Sequence, residues 1–234
     1  MIDLSAFYDE LQSASITDQM ANNGMYFFKS KLSVNDCIYL RNRMDVLSQG
    51  DDVVEHYGGS EHRIWQAHKK DPAFAEFEKL SNSIIPKIYG RPSPAHNVLA
   101  IRNRKTPPHA ERMETRWHLD SFRKQLKLFA FMTDVSDKNG PLEVVPKTHN
   151  MNFKLRAIVP MGYYRLRDIY KYFEGRRSWQ SIHDNKVSGL LDKGFEKMPV
   201  TVEAGTLLLI DTSAIHRAKP CMEGERYAVT VYHR

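Results

Sequence analysis

The sequence predicts a mainly β protein with flanking helices, its strands forming a sandwich or open barrel. Three observations carry this expectation. Residues 1–94 show helical spacing of apolar positions. From Ala95 onward, short β-rich runs alternate with turn signals. One long basic stretch, residues 150–197, interrupts those runs.

In chain order, residues 4–13 read as a short amphipathic helix and GMYFFK (24–29) as a strand bounded by turn formers. Ser33 is placed as an N-cap, with Asp36 three residues on at the positive end of a helix. Val34, Cys37, Ile38, Leu40, Met44 and Leu47 then follow at helical spacing until Gln49-Gly50 stops it. The stretch through His68 is polar and reads as irregular. Asp71-Pro72 opens a second helix with Phe74, Phe77, Leu80 and Ile84 on one face, and Pro86 is expected to kink or end it.

The β-rich runs are HNVLAIRNR, LKLFAFMTDV, LEVVP, MPVTVEA, TLLLID and ERYAVTVYH, with a further strand around Trp117–Ser121. KNGP (138–141), Ala204-Gly205 and EGE (223–225) mark turns between them. The length fits one domain, 1–234, with a helical part to about residue 94 and a β core from about residue 95.

Composition narrows the function classes. Two distant cysteines, Cys37 and Cys221, exclude a disulfide framework and fit a reducing compartment. The start MIDLSAFYDELQ lacks the basic and apolar regions of a signal peptide, and no apolar run is long enough to span a bilayer, so a cytoplasmic protein without membrane contact is expected. The net charge is +6, and residues 150–197 hold ten Lys/Arg against five Asp/Glu. The basicity is therefore local. Within that stretch RLRDIYKYFEG reads as helical. Its bases (Arg165, Arg167, Arg176 and Arg177 among them) are interleaved with Tyr163, Tyr164, Tyr170, Tyr172, Phe173 and Trp179. A lid that favours an anionic substrate is one reading, a solvated basic face the other.

His118-Leu119-Asp120 carries the chemistry. In a strand, residues i and i+2 share a face, so both polar groups aim at one point, and a divalent metal would satisfy them. Alone, an H-x-D pair in a chain with ten histidines says little. His216, just past the apolar run TLLLID, is a candidate third ligand, since two His and one carboxylate are the donor set of non-haem Fe(II) oxygenases. Arg226, ten residues further, starts a strand in which it shares a face with Ala228, Thr230 and Tyr232. Its planar fork suits a carboxylate. Lys127 and Thr133 share a face of LKLFAFMT and are further candidates for contact with that carboxylate. Trp117 is expected to pack beside the metal strand, and Thr212 and Ser213 are candidate hydrogen-bond partners of His216.

WHLDSFRKQLKLFAFMTDVSDKNGPLEVVPKTHN and AGTLLLIDTSAIHRAKPCMEGERYAVTVYH resemble the phytanoyl-CoA dioxygenase family of Fe(II)/2-oxoglutarate oxygenases, and GMYFFKSKLSVNDCIYLRNRMDVL is similar to that family's opening. The resemblance implies a double-stranded β-helix (jelly-roll, cupin-like) core. It also implies His118, Asp120 and His216 as Fe(II) ligands and Arg226 as the 2-oxoglutarate anchor. O₂ would be the second co-substrate, with 2-oxoglutarate leaving as succinate and CO₂. Related halogenases lack the carboxylate, so Asp120 favours hydroxylation. Two alternatives stand beside this reading. One is a non-catalytic metal-binding sandwich that binds or senses a ligand. The other, an oxygenase acting on nucleic acid, is disfavoured because RAKPCMEGERYAVTVYHR departs from the R-x-N-x-T-x-R pattern of such demethylases.

Overall fold

The computed structural model describes Phe7, Glu10 and residues 14–107, 115–160 and 180–233. The expected helix at 4–13 falls mostly outside these residues, with Phe7 and Glu10 helical. The expected helix RLRDIYKYFEG and the named arginines and aromatics of the basic stretch lie outside them too.

A helix over Ala14–Asn23 leads into β1 (Met25–Phe28). Between them Gly24 takes φ +77°, and a Cβ there would sit 2.7 Å from the His149 ring, so neither the backbone nor the space admits a side chain. The next helix, Val34–Leu47, starts as expected. Ser33 Oγ accepts from the Asp36 N–H at 3.1 Å, and the Asp36 carboxylate accepts from Ser33 N at 3.2 Å. Cys37, Leu40 and Met44 form its buried stripe, whereas Val34 and Ile38 face solvent.

Residues 48–68 are more regular than their polarity suggests. They hold β2 (Val54–His56), β3 (Glu61–Ile64) and the start of a helical turn, Ala67–Lys70. This hairpin extends a sheet edge with polar side chains, so the apolar alternation that signals a strand is missing. The helix Pro72–Tyr89 has Asp71 Oδ1 accepting from Ala73 N at 2.9 Å, and it buries Phe74, Phe77, Leu80 and Ile84. Each of those apolar side chains contributes roughly 1.5–3 kcal/mol through burial. Pro86 does not end this helix. Its missing N–H falls in the last turns, and the chain stays helical to Tyr89 before Gly90 caps it.

The remaining strands are β4 (Ala95–Arg104), β5 (Trp117–Leu119), β6 (Leu126–Phe131), β7 (Leu142–Val144), β8 (Gln180–Ile182), β9 (Met198–Pro199), β10 (Leu207–Asp211), β11 (His216–Ala218) and β12 (Glu225–His233). They form two antiparallel sheets. The major sheet runs β1-β10-β6-β12-β4-β3-β2 and the minor sheet β8-β5-β11-β7-β9. MPVTVEA keeps only two residues of regular strand, with Val202 bridging Val135 alone. Gly205, at φ +87°, turns the chain into β10. Its carbonyl accepts from Lys31 and Leu32 N–H, and a Cβ would collide with the Leu32 carbonyl.

Alternation sorts the two faces of the major sheet. Tyr227, Val229 and Val231 of β12 pack with Leu128 and Ala130 of β6 against the helices. Phe131, Leu208, Ile210 and Ala228 face the minor sheet, where Val144 meets them. The outer face of the minor sheet is covered too. Trp117, Leu119 and Ile215 pack there with Ile158, from a π-turn at Lys154–Ile158, and with Val187 and Leu190, from the helix Asp184–Leu191.

Candidate metal centre and its cavity

β5 and β11 are neighbours in the minor sheet, and their register sets His216 directly opposite His118. The two rings lie 4.3 Å apart between centroids. Asp120 follows β5, and its N–H donates to the Thr212 carbonyl at 3.1 Å, which holds the carboxylate beside the turn leading to His216. Asp120 Oδ1 is 3.5 Å from His118 Nε2, and Oδ2 is 3.7 Å from His216 Nε2. These three side chains can offer ligand atoms all within 4.8 Å of one another.

The outer nitrogens fix the tautomers. His118 Nδ1 lies 2.8 Å from the Arg116 carbonyl, and His216 Nδ1 lies 2.9 Å from the Ala214 carbonyl. A carbonyl only accepts, so in the neutral rings Nδ1 carries the proton and each Nε2 presents a lone pair to Asp120. Burial pushes the His216 imidazolium down to about 4, and nearby His118 adds to this, so the His216 ring is neutral at pH 7. Burial alone would raise the Asp120 carboxyl, but Lys127 and the two imidazoles hold it well below the usual carboxylate range. One carboxylate and two imidazole lone pairs, none able to hydrogen-bond to another, converge here, with Lys127 taking one carboxylate oxygen. That donor set fits a non-haem Fe(II) ion.

The triad opens on a cavity of about 320 Å³ between the sheets. Arg226 stands at one end. It aligns in register with Asn103 on β4, and Asn103 aligns with Glu61 on β3. Arg226 Nη2 donates to Asn103 Oδ1 at 2.8 Å, Asn103 Nδ2 donates to Glu61 Oε2 at 2.5 Å, and Arg63 Nε meets Glu61 Oε1 at 2.6 Å. Lys127 stands six residues of β12 away, in register with Tyr232, an offset of about 20 Å along the strand. Its Nζ donates to Asp120 Oδ2 at 2.6 Å and lies 4.4 Å from the Tyr232 ring centre. The Tyr232 ring in turn meets Trp65 at 6.2 Å.

Of the residues singled out in the sequence, His118, Asp120, His216, Arg226 and Lys127 line this cavity. Thr133 does not. β6 ends at Phe131, and the Thr133 hydroxyl accepts from Tyr227 N at 3.2 Å. Trp117 is buried beside the metal strand with Arg217 over its ring. Thr212 and Ser213 do not hydrogen-bond the His216 ring. The Ala214 carbonyl takes that role, while the Thr212 hydroxyl donates to Gln125 O and Ser213 Oγ accepts from Lys154. Glu61, Arg63, Trp65 and Asn103 were missed. Asn103 was readable, because it shares β4's inward face with Leu99 and Ile101. The short polar β3 carries no such signal.

The model of the phytanoyl-CoA dioxygenase (PhyH) family matches residues 86–223, more than half of the chain. The chain belongs to the phytanoyl-CoA dioxygenase family. That family consists of Fe(II)- and 2-oxoglutarate-dependent oxygenases that use O₂. Among curated proteins, none matches this sequence significantly. Solved structures do. The epimerase SnoN in complex with Fe3+, alpha ketoglutarate and nogalamycin RO is 13% identical, covering 97% of this chain and 84% of its own, with a TM-score of 0.69. EctD from S. alaskensis with 2-oxoglutarate and 5-hydroxyectoine is 16% identical, covering 96% and 76%, with a TM-score of 0.68. HygX from Streptomyces hygroscopicus with nickel, 2-oxoglutarate and hygromycin B is 14% identical, covering 94% and 86%, with a TM-score of 0.62. At these identities the likeness shows the fold, the double-stranded β-helix of 2-oxoglutarate-dependent oxygenases. No helix among the described residues is long and apolar enough to cross a membrane.

Proposed function

We propose that this chain is an Fe(II)- and 2-oxoglutarate-dependent hydroxylase of a small anionic organic molecule. The observation that carries the reading is the convergence of two buried histidines and a half-buried aspartate on a cavity that also presents Arg226. When bound, iron with 2-oxoglutarate and O₂ supplies the oxidising power, and 2-oxoglutarate leaves as succinate and CO₂.

The chain's own residues do the rest. His118, Asp120 and His216 hold the ion through Nε2, a carboxylate oxygen and Nε2. Lys127 takes Asp120 Oδ2 and so leaves Oδ1 for the ion. The Arg226 fork, held by its bond to Asn103, orients the far carboxylate of 2-oxoglutarate. Leu99, Ile101, Phe129 and Leu142 exclude water from the space between. Asp120 fills the position that halogenation leaves to a halide, which supports hydroxylation.

Charge supports an anionic substrate. Among the described residues, Arg63, Lys127 and Arg226 line the cavity against Glu61 and Asp120, an excess of one positive charge. A divalent ion and a dicarboxylate cancel, so the excess remains for the substrate. Both cysteines are free and buried, in keeping with a reducing, cytoplasmic setting.

The test is succinate formation from 2-oxoglutarate under O₂, with and without added Fe(II), beside Asp120→Ala. Iron-dependent turnover in the wild type, absent from the variant, is the expected result. If the wild type neither turns over nor binds 2-oxoglutarate in the presence of iron, the oxygenase reading fails.

A further inference from the structure

Lys154 is the first residue of the π-turn that follows the VPKTHN segment, and its side chain is fully buried. Its Nζ donates to the Phe122 carbonyl at 2.8 Å and to Ser213 Oγ at 2.6 Å. Phe122 lies two residues after Asp120, and Ser213 lies three before His216. The amine therefore joins the two segments that carry metal ligands while touching no ligand itself. Ser213 is pinned a second time, since its N–H donates to Asp211 Oδ1 at 3.0 Å, and Asp211 Oδ1 also accepts from Gln125 N at 3.0 Å. The carbonyl of the adjacent Ala214 is the one that fixes the His216 tautomer.

Burying an amine that, among the described residues, has no carboxylate in direct contact is costly, and a methionine of similar length would fill the space more cheaply. Fold stability alone does not account for the lysine. We propose that Lys154 is a positioning residue of the metal centre, a brace that sets the spacing between the Asp120 and His216 segments. This rests on the metal-centre reading above. Burial drives the ammonium down to about 8, with Asp211 opposing. A neutral amine still has two N–H donors for these two acceptors, so the brace survives loss of the charge.

The experiment is anaerobic titration of the full-length apo-protein with Co(II), followed by calorimetry and by the d–d absorption of the bound ion. Thermal unfolding of the metal-free protein is measured in parallel. Lys154→Met is expected to weaken Co(II) binding by roughly 10-fold or more, the scale seen when groups behind metal ligands are removed. It should also alter the d–d spectrum, with the metal-free melting temperature unchanged or raised. A brace for stability alone would lower that temperature and leave the affinity and spectrum of the folded protein as they were. Ser213→Ala should give a smaller loss, and the double variant no more than Lys154→Met alone, because both remove the same link. Wild-type affinity and spectrum in Lys154→Met would overturn the proposal. Should that variant not fold, wild-type affinity in Ser213→Ala would do the same. Failure of the wild type to bind Co(II) would instead sink the metal-centre reading, and the proposal with it.

Discussion

His216 and Arg226 stand ten residues apart on consecutive strands, yet the structure holds them by different means. Arg226 belongs to β12, nine residues long, with nine partners on β4 and five on β6. Its backbone is placed by the sheet ladder, and one cross-strand amide, Asn103, then fixes its fork. His216 begins β11, three residues long, with one partner on β5 and three on β7. The segment before it leans on side chains as well as on backbone bonds such as Val145 N–H to the Ile215 carbonyl at 2.9 Å. Thr148 Oγ1 accepts from Ile215 N at 2.8 Å, Asp211 takes Ser213 N, and Lys154 takes Ser213 Oγ. Individual side-chain hydrogen bonds of about 1 kcal/mol net each supplement that short ladder.

The sharpest way to break this contrast is to remove each residue and measure both affinities. His216→Ala takes one of three ligands and should lower Co(II) affinity by about 100-fold or more. Arg226→Ala should leave Co(II) binding within a few-fold of wild type. It should weaken 2-oxoglutarate by roughly 30-fold or more, the scale of a lost buried charge partner. Arg226→Lys should restore only part of that, since an ammonium lacks the bidentate fork. Equal loss of metal affinity in both alanine variants would show that the two halves of the cavity are not held separately.

A step further out, the supports can be removed instead of the groups they hold. Thr148→Val leaves the buried Ile215 N–H without its acceptor and should cost about 1–3 kcal/mol of stability, with a measurable drop in Co(II) affinity. Asn103→Ala strips Glu61 Oε2 and Arg226 of a shared partner at a similar cost of about 1–3 kcal/mol, and the drop should fall on 2-oxoglutarate. Denaturant melts and paired titrations check both. A crossed result, with Thr148→Val hurting 2-oxoglutarate and Asn103→Ala hurting the metal, would refute the division.

The same division decides what could be read in the sequence. Arg226, Ala228, Thr230 and Tyr232 were assigned to one face of β12 from alternation alone, because a long strand repeats its signal. The H-x-D pair was legible through the rule that i and i+2 share a face, although β5 is short and ends at Leu119, just before Asp120. Asn103 sits in an equally regular strand and could have been found with it. Lys154 could not. Its role rests on hydrogen bonds to Phe122 and Ser213, residues 32 and 59 positions away, and no local period encodes a contact of that kind. Glu61 and Arg63 were hidden because a short polar strand facing a cavity has no apolar alternation to show.

pH offers a smaller perturbation with a defined sign. His149, His216 and His233 are all held below the ordinary value of 6.5, in each case chiefly by burial. The unfolded chain therefore binds more protons than the folded one below about that pH, and metal-free stability must fall as pH drops from 7 toward 5. For His216, moved to about 4, the loss is on the order of 1–2 kcal/mol at pH 5.5. Asp120 adds no slope over this window, since its contribution begins to fall only as pH approaches 3.8 and is then lost progressively below it. Urea midpoints at pH 7.0 and 5.5 should differ accordingly, and His216→Asn should flatten the slope. A slope unchanged in that variant would mean that His216 is not buried as a neutral ring.

The smallest effect serves as the control for the others. Ser33 caps the Val34–Leu47 helix through a reciprocal pair with Asp36, and it lines neither end of the cavity. Ser33→Ala should cost about 1 kcal/mol, the usual scale of a lost N-cap. That overlaps the lower range expected for Thr148→Val and Asn103→Ala, yet both Co(II) and 2-oxoglutarate affinities should stay at wild-type values. Loss of stability and loss of position are then separable quantities. If Ser33→Ala weakened either ligand as much as the two support variants do, their effects would reflect general destabilisation, and the distinction between a ladder-held arginine and a side-chain-held histidine would have no functional content.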